Sequence, residues 1–246
     1  MRWSVAIVSL GVVLGCAAGC KQSDGPLFPI NPGGPNNPGG GDDGVDARAG
    51  SDASLDVMSG RVCLIVDARQ PDTCATTGAG GLNVTLDGST STTQPDGTFE
   101  IDVPHSSNIA WEVNGTNIMT SVMSYSAVHQ IPVIGQADYY DLANSNSVVA
   151  TPGQGDVFVH VTHQGASVAM VTATAVPAAE FPPLYDGNAP TTWTQVSTAA
   201  SGMVWIPGIA QGAASVTLTP PTGTPTVVSA IPIGDGTLTW VSAELP

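Results

Sequence analysis

Positive charge is nearly missing from this chain. Five residues are Lys or Arg against 20 Asp or Glu, a formal net charge of −15. The five are Arg2, Lys21, Arg48, Arg61 and Arg69, and no permanent cation follows Arg69. Nucleic acid is excluded as a partner, because phosphate contacts need clustered Lys and Arg. Electrostatic attachment to an anionic membrane surface is disfavoured for the same reason. Charge of either sign is scarce: Asp, Glu, Lys and Arg make up 10%, against about a quarter of an ordinary globular chain. Long helices are also disfavoured, since 29 Gly and 20 Pro punctuate the sequence. No apolar run reaches the roughly 20 residues of a membrane-spanning helix. G-x-S-x-G, H-E-x-x-H, S-x-x-K and Walker patterns are all missing, so no catalysis and no cofactor are expected.

What is present begins with an address. Met1-Arg2 is a minimal basic start, and Val5 to Leu14 is a short apolar run. Small residues and two cysteines follow, Gly15-Cys16-Ala17-Ala18-Gly19-Cys20. The pattern reads as a secretory signal over residues 1–20. Gly directly before Cys resembles the lipobox of bacterial lipoproteins, in which the signal is cut before a cysteine that then carries lipid. Cys20, preceded by Ala17-Ala18-Gly19, is the favoured lipidation site; Cys16, after Val13-Leu14-Gly15, is the alternative. A plain signal peptide with incidental cysteines is the simpler reading. The resemblance implies a lipid anchor as the link to a membrane, in an exported protein of the cell envelope, at the outer membrane or cell surface.

Residues 21–59 hold eight Gly, five Pro and six Asp, with no period that buries a face. They read as a linker with polyproline-like pieces. A flexible coil of that length reaches roughly 5–6 Å × √39, about 35 Å.

From Gly60 the pattern changes to short strands. Arg61 to Asp67 is rich in β-branched residues, and Leu82, Val84 and Leu86 alternate. Pro95-Asp96-Gly97 signals a turn, and Thr98 to Val103 alternates again. Ile109, Trp111 and Val113 form another set; Ser121 to His129 and Gln130 to Ile134 read as strands, with Pro132 marking an edge. Residues 137–144 suit one or two turns of helix. The second half repeats the scheme. Gly155-Asp156-Val157 answers Gly60-Arg61-Val62, and Ser167 to Thr174 answers the Leu82 strand. Ser201-Gly202-Met203-Val204 answers Asp96-Gly97-Thr98-Phe99, Ser215 to Thr219 answers Ile109 to Val113, and Ile231-Pro232-Ile233 answers Ile131-Pro132-Val133. The fold expected is all-β, two tandem antiparallel sandwiches over residues 60–148 and 149–246.

These Gly-x-Val strands, with the run Thr92 to Ile101 and its counterpart Ala199 to Gly212, resemble the carboxypeptidase regulatory-like domain. That family belongs with transthyretin-like and starch-binding-like sandwiches. The resemblance implies a non-catalytic accessory fold used as a spacer or binding module, and it transfers no catalytic residue.

Cys63 and Cys74 lie eleven apart in an exported chain, so a disulfide is expected. Closing that loop is worth roughly 3 kcal/mol in the chain-entropy model. His160 and His163 fall on opposite faces of a strand and do not converge on a metal. His105 and His129 have no local partner, and Asp138 with Asp141, or Asp186 with Asn188, are incomplete seeds for calcium. The segment Val176 to Trp193 is the main insertion of the second half. Its Phe181, Tyr185 and Trp193, with Asp186, suit stacking and hydrogen bonding to a polysaccharide. The competing reading folds those rings back over the sandwich end, leaving a structural role with an envelope protein as partner.

Overall fold

Period-2 patterning sets nearly every element. The computed structural model describes residues 56–77, 79–103, 110–124 and 130–246. The first half has β1 (Asp56–Ile65), β2 (Asn83–Leu86), β3 (Ser89–Thr92), β4 (Thr98–Val103), β5 (Ala110–Asn114), β6 (Ser121–Ser124) and β7 (Gln130–Ile134). Helix α1 (Gln136–Ser145) follows. The second half has β8 (Gln154–His163), β9 (Ala166–Ser167), β10 (Thr172–Val176), β11 (Leu184–Tyr185), β12 (Met203–Ala210), β13 (Gly212–Thr219), β14 (Thr226–Ile233) and β15 (Leu238–Glu244). The fold is all-β with sandwich layers. β1 begins at Asp56, four residues before the pattern changes at Gly60. Residues 1–55, with Cys16 and Cys20, lie outside the described residues, as do His105, Ile109 and His129.

The two halves share one connection scheme. β1 pairs antiparallel with β4 and parallel with β7; β8 pairs antiparallel with β12 and parallel with β15. β5 joins β2 to β6, and β13 joins β10 to β14. The match of Gly97 to Gly202 holds in detail. Val62 N–H donates to the Gly97 carbonyl at 2.8 Å, and Val161 N–H donates to the Gly202 carbonyl at 2.9 Å. Both glycines have positive φ, +86° and +66°, and a Cβ on either would sit 2.5 or 2.6 Å from the carbonyl oxygen of Val62 or Val161.

Two of the sequence correspondences shift. Val161, not Val157, stands where Val62 does, because sliding a strand by four residues preserves which face is apolar. β7, with Ile131-Pro132-Val133, matches β15 rather than the Ile231-Pro232-Ile233 end of β14. A tripeptide carries no information about its sheet neighbours. The strand expected over Ser167 to Thr174 is broken between β9 and β10, where Met170 adopts φ +64°.

The halves also share a sheet. A nine-stranded sheet runs β11-β12-β8-β15-β6-β5-β2-β3, with β9 beside β8. β15 is the seam: it lies parallel to β8 on one side and to β6 on the other. Sheet β4-β1-β7 covers the first half of this layer, and their core includes Val62, Phe99, Trp111 and Ile131. Sheet β10-β13-β14 covers the second half, with Val157, Val159, Val204 and Leu218 between the layers. Phe158, Trp205 and Trp240 project from the opposite face of β8, β12 and β15. There they meet Cys63, Ile65, Ile134 and Tyr139 of the first half. β8 is thus buried on both faces over Val157 to Val159, where apolar residues follow one another without alternation.

Candidate functional site

The Val176–Trp193 insertion folds inward. Trp193 is fully buried, and its ring meets Phe158 edge-on at 5.8 Å and Trp205 at 6.0 Å. Phe158 in turn stacks on Trp205 at 5.6 Å and on Trp240 at 4.6 Å. Phe181 is half-buried against the same cluster. Tyr185 is buried beneath β10, where its hydroxyl accepts from Ala173 N–H at 2.9 Å, and burial pushes its phenol up. Asp186, 1% exposed, accepts from Ala199 N–H at 2.7 Å, Ser201 N–H at 3.0 Å and Ser201 Oγ at 2.5 Å. These bonds brace the turn that leads into β12. The exposed aromatic platform is therefore corrected: the rings take the folded-back arrangement, Trp193 joining the cluster shared with the first half and Tyr185 entering the second half's own core.

The same loop clasps that half. Arg69 pairs with Asp67 at 2.6 Å and donates from Nη1 to the Gly187 carbonyl at 2.8 Å. Despite partial burial, the Asp67 carboxyl is held below its ordinary value by the Arg69 guanidinium and backbone. Asn146, just after α1, donates to the Thr191 carbonyl at 2.9 Å and accepts from Trp193 N–H at 3.1 Å. Cys63 and Cys74 form the expected disulfide, with Cα atoms 4.9 Å apart, at the edge of this joint.

The histidines diverge. His160 Nε2 meets Ser167 Oγ at 2.9 Å, and His163 Nδ1 meets the Leu245 carbonyl at 3.0 Å. Among the described residues no three His, Cys, Asp or Glu gather as a metal centre.

A polar centre the sequence reading missed lies inside the joint. Asp156, 6% exposed, begins the apolar run of β8. Its Oδ2 accepts from the Tyr139 hydroxyl at 2.6 Å and Trp205 Nε1 at 2.9 Å, and its Oδ1 accepts from Gly208 N–H at 3.0 Å. Burial raises the Asp156 carboxyl above its ordinary value, and the three hydrogen bonds only partly offset this. The Tyr139 phenol is pushed far above its ordinary range by burial and the facing carboxyl. The signal was a carboxylate directly before the apolar Val157-Phe158-Val159, but period 2 does not reveal what packs over the strand's outer face. Beside this centre lies a cavity of about 260 Å³, bounded by α1, the start of β8, the turn before β15 and the segment 149–151.

No family model matches the chain, and no curated protein does. Among solved structures, a minor pilin of Streptococcus agalactiae matches with 11% identity and a TM-score of 0.24, over 77% of this chain and 96% of that one. A streptococcal ancillary pilin matches with 11% identity and the same TM-score, over 77% and 68%. The Bacillus anthracis TIE protein matches with 7% identity and a TM-score of 0.23, over 77% and 33%. At such scores the likeness carries no argument about function. No helix among the described residues is long and apolar enough to cross a membrane.

Proposed function

We propose that this chain is an exported, lipid-anchored protein of the cell envelope with a non-catalytic structural or interaction role. In this reading the paired sandwiches form one stiff body carried on the Gly/Pro/Asp-rich linker. The observation that carries it is the joint. A shared sheet, an aromatic cluster and the Arg69 clasp all join the halves, and the insertion that suited a polysaccharide site is consumed in building it. A body with no swivel between its halves suits a spacer that holds a surface at a fixed distance, or presents it to an envelope partner. The anchor rests on the resemblance around Cys20 and Cys16 to a lipobox. The polysaccharide alternative required Trp193 and Tyr185 to face solvent, and both are buried.

The test is expression of the full chain in a bacterial host fed a labelled fatty acid. Lipid label on the wild type and its loss in Cys20→Ala are expected, with the protein then leaving the membrane fraction. Cys16→Ala keeps the label if Cys20 is the site. A wild-type chain that takes up no label removes the anchor. Protease treatment of intact cells reads whether the domains face outward.

A further inference from the structure

Alternation fixes the outward face of the first half's share of the long sheet. Val84 and Leu86 of β2 and Trp111 and Val113 of β5 are buried on the inner side. Asn83, Thr85, Glu112 and Asn114 therefore point the other way. Register places Asn83 directly opposite Asn114, and Asn83 Nδ2 donates to Asn114 Oδ1 at 3.4 Å. Each of the two opens an Asn-x-Thr triplet, Asn83-Val84-Thr85 and Asn114-Gly115-Thr116. No other asparagine of the chain is followed two residues on by Ser or Thr. On the surface of an exported protein such a triplet is the acceptor of an N-linked glycan.

The two triplets are not equivalent. Asn83 is paired on both sides, to Thr92 of β3 and Asn114 of β5. Val84 beside it is fully buried, and Thr85 Oγ1 lies 3.3 Å from Thr90 Oγ1. That triplet is held inside the sheet. Asn114 is the last residue of β5, and Gly115 and Thr116 leave the ladder on exposed backbone at a turn. Glu112 adds a further element. It lies two residues before Asn114 on the same face, and its Oε1 accepts from Asn114 Nδ2 at 3.2 Å. An acidic residue in that place marks the acceptor read by bacterial transferases, and before Asn83 the place is taken by Gly81.

We propose that Asn114 is the attachment site of an N-linked glycan, added in the course of export. The donor is an oligosaccharide carried on a polyprenyl diphosphate. Asn114 Nδ2 forms a bond to the anomeric carbon of the first sugar, and the bond from that carbon to the diphosphate oxygen breaks. The diphosphate leaves with the electron pair, the amide nitrogen gives one proton to a base of the transferase, and nothing is oxidised or reduced. The attached sugar stands beside Asn83, so one glycan occupies the pair. The inference rests on the export reading of residues 1–20 and not on the lipid anchor.

The test is expression in a bacterium supplied with an oligosaccharyl transferase and its polyprenyl-linked glycan, with an established acceptor protein in the same cells. The full chain is sent out by its own residues 1–20 and, in parallel, residues 21–246 follow a standard secretory signal. Chymotryptic peptides that begin at Glu112, after cleavage at Trp111, are weighed by mass spectrometry. A glycan on Asn114 is expected, absent in Asn114→Gln and Thr116→Ala, mostly lost in Glu112→Gln, and kept in Thr116→Ser and Asn83→Gln. Thr116 is exposed, so its two variants separate loss of the acceptor from loss of the fold. If both forms are exported and Asn114 stays bare while the control acceptor is modified, the proposal fails by itself. It also fails if the glycan sits on Asn83 instead, or survives Thr116→Ala. If only the form with the standard signal is exported, the export reading fails and takes the proposal with it.

Discussion

Asp156 is a buried carboxyl that acts as a hydrogen-bond hub without a cation. Its raised folded-state value fixes the sign of its pH dependence. The folded chain holds this proton to higher pH than the unfolded chain does. The group's contribution is therefore fully present below the unfolded value, and it is lost as pH rises through the raised folded value. Asp67, held low by Arg69, works in the opposite sense, its contribution fading as pH falls. The difference in unfolding free energy between wild type and Asp156→Asn should thus decline with pH across the Asp156 window and be level above it. Denaturant titrations at a series of pH values measure this, and a flat difference contradicts the raised carboxyl. Gly97 and Gly202 give a second prediction at this scale. Either changed to Ala meets a valine carbonyl at 2.5–2.6 Å with φ positive. Each should lose about 2 kcal/mol or more, to a similar extent. A neutral change at one site alone breaks their equivalence.

At the level of elements, alternation made most of the strands legible, and residues 137–144 read as a short helix, which α1 extends by one residue at each end. Register was not legible, because Val62 and Val161 sit in patterns that look the same two or four residues along. Nor was the direction in which the insertion packs. Phe181, Tyr185 and Trp193 among prolines have the composition of a sugar platform and of a satellite core alike. What decides is the apolar outer face of β8, β12 and β15, which a local reading does not assemble. Asp156 was hidden for the same reason: its partners Tyr139, Trp205 and Gly208 come from two other elements, α1 and β12. Trp193→Ala removes a fully buried ring from this joint, so a loss of about 3–5 kcal/mol is expected. A drop under about 1 kcal/mol in urea unfolding would mean the clasp contributes little beyond the shared sheet.

Across the whole molecule, the joint makes cooperativity the measurable property. Phe158, Trp205 and Trp240 are covered by Cys63, Ile65, Ile134 and Tyr139 of the first half together with Trp193 of the insertion. The full chain should unfold in one transition, with tryptophan fluorescence and far-ultraviolet circular dichroism tracing the same curve. Two separated transitions would mean that the sandwiches stand alone. Residues 149–246 made by themselves should expose that aromatic face and aggregate.

The position of β15 has a consequence in time. It is central in the shared sheet yet comes late in the chain, after every other strand. While synthesis proceeds, β6 and β8 each wait with an open flank, and neither half can close. Such non-local pairing is slow to form. That order makes Leu238 to Glu244 a latch: the shared sheet closes only when this strand settles between β6 and β8.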